Sequence, residues 1–265
     1  MPFTFAHPLY AVPFHRMGMF TLSLSGLILG SMAPDFEYFI ALEPHQVIGH
    51  TFKGLLLEAI PLSILFAWLF HYVIKHALVL HLPSWFDLDR RAYQLIRSWR
   101  LRSYKDWLIF IGSVVIGFAT HVFLDAWTHR SGWFVTAFPG MQQPIVAGIP
   151  LYKMMQHGLS LLGLTIEGVL LWKLLAGRRY SSADTVKSAP TPISFVRVST
   201  ASKVRYWGVV IFVVLLIVIA KFTISESSNM IGILVVSPLS GIMLGVTIAS
   251  LMVKFRLLPL KLSNL

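Results

Sequence analysis

His121-Val-Phe-Leu-Asp125-Ala-Trp-Thr-His129 sets two imidazoles and a carboxylate four residues apart inside an otherwise apolar run. On a helix each four-residue step advances about 40°, so the three side chains span about 80° of one face and can converge on one centre. Ionisable groups in such a segment are costly to bury in lipid and face a bundle interior or a wet cavity, which makes function the default reading. Side chains of these types at this spacing can ligate one metal ion. The chain has no cysteine, so thiolate ligands, cysteine nucleophiles and disulfides are excluded and any metal must sit in nitrogen and oxygen.

The elements that must position this motif are membrane helices. Hydrophobic residues make up 56% of the chain and charged ones 12%, far from the soluble average of roughly 25% charged. The mean hydropathy is +0.72. Apolar runs long enough for a bilayer, which needs about 17 to 25 residues, fall near 54–80, 107–128, 154–176, 206–222 and 230–253. The run 17–33 is shorter and rich in Gly and Ser, so it is a sixth span or half of a re-entrant hairpin. The fold class is therefore all-α, a polytopic integral membrane bundle of five to six segments. Three regions follow along the chain: a membrane helical domain over 1–176, a basic linker over 177–205 rich in Ser, Ala, Thr and Pro, and a two-helix tail over 206–265. Between Tyr206 and Val253 the tail carries almost nothing ionisable apart from Lys221 and Glu226, and it reads as a packing or oligomerising element.

The net charge of +11 is explained by topology rather than by a nucleic-acid partner. Connections 81–106 and 177–205 hold six Lys/Arg each and the tail from Lys254 three, whereas 34–53, 129–153 and 223–229 hold only Lys53, Arg130 and Lys153 between them. The basic set is cytoplasmic by the positive-inside rule, and His129 and its neighbours lie outside. Trp85, Phe86, Tyr93, Ile96 and Trp99 interleave with arginines over 84–107, the pattern of an amphipathic helix on an anionic leaflet.

Four further polar patches gather at the external end: His7-Pro8, Pro34-Asp35-Phe36-Glu37, Gly49-His50-Thr51 and Gln156-His157-Gly158. If residues 7–17 and 22–35 form an antiparallel hairpin, His7 meets Asp35; one continuous helix would separate them by about 42 Å. Glu58, eight residues after His50, reads as a supporting carboxylate or an interfacial charge. His15, His45, His71, His76 and His81 fall outside the patches and read as surface or interfacial groups.

These patches, together with the opening Met-Pro-Phe-Thr-Phe-Ala and Gly132-Trp133, resemble a bacterial membrane family known as domain of unknown function 4184, over residues 2 to about 175. The order His, Pro-Asp, His, His-x3-Asp is more distantly similar to membrane-bound metal-dependent hydrolases and to the helical zinc-dependent phospholipase C superfamily. That second resemblance implies a multinuclear divalent-metal site, zinc foremost, hydrolysing a lipid or envelope phosphoester with metal-bound water whose pKa is lowered toward about 7, and the charge pattern puts it at the external face of the inner membrane. Its ligand positions fall on His7, Asp35, His50, His121 and Asp125, with His121 and Asp125 central to catalysis and His129 and His157 as further candidates. The His-x3-Glu pair of the phospholipases is missing, since Leu161 follows His157 by four residues. Two other classes stay open: a scaffold with a structural metal or a polar cluster, and a transporter relaying protons through Glu58, Asp125 and Glu167.

Overall fold

The computed structural model describes residues 3–17, 20–176, 195–225 and 229–258. Most of the expected linker, residues 177–194, and Glu226 lie outside the described residues. In chain order the helices are α1 (His7–Ala11), α2 (Leu24–Met32), α3 (Phe36–Ala41), α4 (Phe52–His81), α5 (Leu88–Gln94), α6 (Tyr104–Thr128), α7 (Trp133–Ala137), α8 (Leu151–Ala176), α9 (Thr200–Ile224) and α10 (Met230–Lys254). Two small antiparallel hairpins accompany them. β1 (Arg16–Met17) pairs with β2 (Phe20–Thr21), Arg16 opposite Thr21, and β3 (Pro144–Val146) pairs with β4 (Ile149–Pro150), Val146 opposite Ile149.

Five helices among the described residues are long and apolar enough to cross a membrane: Phe52–His81, Tyr104–Ala137, Leu151–Ala176, Thr200–Ile224 and Met230–Lys254. The run 17–33 contributes none of these five: α2, within it, has nine residues. Instead α1 and α2 are the arms of a hairpin closed by β1 and β2.

The amphipathic helix expected over 84–107 is broken. Only Leu88–Gln94 is α-helical, preceded by a turn at Trp85–Asp87, and a new helix starts at Tyr104. The cause is local. Ser103 and Asp106 form a capping box, each side chain bonding the other's backbone N–H, and this fixes a helix start that periodicity alone does not reveal.

The chain divides into two compact units. The first comprises Met1–Ala41, His45–Ala67 and Arg100–Leu170, and it contains every residue of the candidate site. Its centre is the crossing of α2 with α6. A Cβ at Gly30 would lie 2.2 Å from the Val114 carbonyl oxygen, and one at Gly117 would lie 2.4 Å from that of Leu27. Helices in lipid gain little from hydrophobic burial against each other, so such small residues, which bring backbones together, carry the association. Leu27, Phe110 and Val114 are fully buried along this seam, and Ser113 Oγ accepts from the Ser23 N–H at 2.8 Å.

The second unit comprises Leu42–Pro44, Trp68–Trp99 and Leu171–Leu265. Within it α9 and α10 pack through Tyr206, Val210, Val246 and Ala249. Lys221, one of the tail's few charges, pairs with Glu43 at 3.0 Å. His81 departs from its surface assignment: it is 2% exposed, stacked on Tyr206 at 4.5 Å, with Nδ1–H donated to the Ala77 carbonyl. Asp89 is fully buried and holds Lys203 at 2.6 Å and Arg197 at 3.2 Å.

Candidate metal centre

Four pieces of the first unit deliver side chains to one point. The N-terminal turn brings Thr4 and His7, the turn after α2 brings Asp35, the segment before α4 brings His50, and the last turns of α6 bring His121, Asp125 and His129. The hairpin explains the first two: Thr4 Oγ1 donates to Asp35 Oδ2 at 2.5 Å. Helix α8 pins the same turn from its other side, with Ser160 Oγ accepting from the Phe3 N–H at 3.0 Å and the Leu159 carbonyl accepting from Tyr10 at 2.8 Å.

Asp125 is the hub. Its Oδ2 lies 3.0 Å from His50 Nε2 and 3.3 Å from His121 Nε2, and its Oδ1 lies 3.3 Å from His129 Nδ1 and 3.9 Å from His7 Nε2. Asp35 Oδ1 sits 3.8 Å from both His50 Nε2 and His121 Nε2. The His7 and His121 rings stack at 3.7 Å. Ligand-type atoms form two overlapping groups, His7–His121–Asp125 and Asp35–His50–His121, the atoms of each group lying within 4.8 Å of one another.

The orientation of His121 is set by the crossing of α2 and α6. Its Nδ1 is 2.6 Å from the Ser31 carbonyl oxygen, which can only accept, so Nδ1 donates there and Nε2 is the nitrogen turned to the cluster. Nε2 faces two carboxylates and makes no hydrogen bond. Both ring nitrogens of His7 and Oδ1 of Asp125 are likewise buried without a hydrogen-bond partner. Burial, reinforced by the neighbouring His121, holds His7 well below the usual imidazole range. Burial pushes Asp35 upward against the hydrogen bond from Thr4. Buried nitrogen and oxygen atoms without a hydrogen-bond partner carry a desolvation cost that a bound cation would offset. The donor set thus fits a divalent ion of the nitrogen- and oxygen-binding kind.

Two sequence candidates sit apart from this core. His129, at the end of α6, is 29% exposed, its Nδ1 meeting Asp125 Oδ1 at 3.3 Å and Thr128 Oγ1 at 3.5 Å. His157 is exposed and belongs to neither group, whereas its neighbour Gln156 is buried. One residue turns a helix by about 100°, and that phase separates them.

Three contributors escaped the sequence reading. Ser31 acts through its carbonyl and Thr4 through its hydroxyl. Glu37 accepts the backbone N–H groups of Val47, Ile48 and Gly49 at 2.7, 2.9 and 3.2 Å, just before His50. Burial acts to raise Glu37, but these three donors outweigh it and hold the carboxyl below its ordinary value. Its spacing from Asp35 in Pro34-Asp35-Phe36-Glu37 was the available signal. Glu58, whose Oε2 is buried without a hydrogen-bond partner, is an electrostatic neighbour of Glu37.

Fold and site define a multi-pass helical membrane protein with a buried His/Asp cluster able to hold a metal ion. The chain belongs to the family described as domain of unknown function (DUF4184), whose profile matches residues 1–251. The match runs through α9 and into α10, further than the motifs reach. Comparison with curated proteins and with solved structures found no match.

Proposed function

We propose that this protein is a metal-dependent phosphoester hydrolase of a bacterial inner membrane, with its site at the external face and a substrate carried by a lipid or another envelope component. The observation that carries the reading is the set of buried nitrogen and oxygen atoms of His7, His121 and Asp125 that have no hydrogen-bond partner. His7, Asp35, His50, His121 and Asp125 would hold the ion or ions, zinc being the foremost candidate. A divalent cation so held supplies Lewis-acid polarisation of a phosphoryl oxygen and ionises water near neutral pH. The protein's own groups divide the remaining work. Ser31 orients His121, Thr4 orients Asp35, and Asp125 gathers the imidazoles. His50 and His129, at 17% and 29% exposure, line the accessible side. The fifteen-to-three distribution of Lys/Arg supports the external placement.

A non-catalytic scaffold with a structural metal is the second reading, favoured by the near-complete burial of His7, Asp35 and His121. One experiment separates the two. Detergent-purified wild type and Asp125→Ala are analysed for bound metal, then screened against phospholipids, isoprenoid phosphates and aryl phosphates after zinc loading. Metal in wild type, its loss in the variant and faster turnover by wild type support the hydrolase. Metal without turnover transfers the site to the scaffold, and wild type indifferent to zinc and chelator overturns both.

A further inference from the structure

His50 reaches the centre from a loop that has little reason to stay there. Val47 is 66% exposed, Gln46 and His45 are exposed, and ordering each such residue costs about 1–2 kcal/mol of backbone entropy. Two clamps oppose that cost. After His50, Thr51 caps α4, its Oγ1 accepting from the Gly54 N–H at 3.0 Å and donating to the Ile48 carbonyl at 2.7 Å. Before His50, the Glu37 carboxylate takes three successive N–H groups. Gly49 lets the chain lie this close, because a Cβ there would be 2.3 Å from the Pro34 carbonyl oxygen and 3.0 Å from Glu37 Oε2.

Both Glu37 oxygens are engaged by these donors, and Glu37 is in neither group of metal-type ligands. Its contribution is therefore read from the backbone it holds. We propose that Glu37 is the positioning residue of the centre: by clamping the backbone of Val47, Ile48 and Gly49 it holds the His50 imidazole against Asp125 and Asp35. The consequence for metal binding rests on the function proposed above, while the positioning itself does not. A carboxylate on three N–H groups is stronger than a neutral acceptor, and a glutamine there would turn its own donors toward some of them.

The test uses full-length protein in detergent with Glu37→Gln, Glu37→Asp, His50→Ala and the double variant Glu37→Gln/His50→Ala. First, the metal-free proteins are treated with diethylpyrocarbonate and the modification rate of each histidine is followed by peptide mass spectrometry. Glu37→Gln should speed His50 several-fold and leave exposed His157 unchanged, and Glu37→Asp, which keeps the charge with a shorter reach, should fall between. Second, zinc affinity is measured by chelator competition. Glu37→Gln should weaken it about 10- to 100-fold, as removal of a supporting partner does, and should weaken it no further once His50 is alanine. An unchanged His50 rate in Glu37→Gln, or an equal affinity loss with and without His50, overturns the proposal. A faster His50 in a protein that binds no zinc at all supports Glu37 as the positioning residue and overturns the metal reading instead. Should Glu37→Gln fail to fold, Glu37→Asp carries both measurements, and the same two failures overturn the proposal.

Discussion

Gly30→Ala should damage the metal site without touching a ligand. The new methyl carbon would stand 2.2 Å from the Val114 carbonyl oxygen, and ordinary contact begins at 3.4 Å, so α2 and α6 must separate by about 1 Å. The neighbouring residue, Ser31, supplies the carbonyl that accepts from His121 at 2.6 Å. A separation of that size stretches the bond to about 3.6 Å, past the limit of a hydrogen bond. His121 then loses the contact that sets its orientation. Overpacking of this kind costs about 1–3 kcal/mol of stability, and loss of a ligand's supporting partner costs about 10- to 100-fold in metal affinity. Chelator competition for zinc together with thermal unfolding in detergent measures both. Gly112→Ala is the control, because its Cβ would meet nothing within 4 Å on the same helix. That variant should bind metal normally and be unchanged or slightly stabilised. Wild-type affinity in Gly30→Ala, or equal damage in Gly112→Ala, would refute the coupling of helix spacing to the site.

His157→Ala should retain full metal content in elemental analysis, since this exposed side chain lies outside both ligand groups; a lost ion would return it to the site. Asp89→Asn should destabilise the protein by about 3 kcal/mol, read as a lowered Tm, because Lys203 is left in a buried site without its carboxylate. Burial acts to raise Asp89, but its bonds to Lys203 and Ser84 hold it below its ordinary value. Its stabilisation is therefore present above pH 4 and lost as pH falls through the lower folded value, so the acid limb of Tm against pH should flatten in Asp89→Asn. With single cysteines, Gln142→Cys but not Ser182→Cys should react with an impermeant thiol reagent in intact cells, and the reverse pattern would move the site to the cytoplasm.

The spans and the gathering of His and Asp side chains were legible because they rest on side-chain type and spacing. His121 and Asp125 announce themselves by helical pitch, and the α1–α2 hairpin brings His7 to Asp125 and Thr4 to Asp35. What stayed hidden is carried by main-chain atoms or by helix phase. The Ser31 carbonyl and the N–H groups taken by Glu37 have no signature in residue identity. His157 was drawn in by its neighbourhood in sequence, and only the rotation of α8 shows that Gln156 is the buried member of that pair. The interleaved aromatics and arginines of 84–107 do have helical character, but the Ser103 capping box restarts the helix, and a box of that kind competes with periodicity on equal terms.

The hydrogen bond from His121 to Ser31 ends on a carbonyl that every amino acid possesses. No codon change can delete it. Random mutagenesis therefore meets the centre's most buried imidazole indirectly, through the spacing of two helices, and Gly26, Gly30 and Gly117 become the positions where heritable loss accumulates. A map of deleterious variants would trace a stripe of glycines up to three turns from the nearest ligand, and a geneticist reading that map alone would locate the defect in assembly rather than in chemistry.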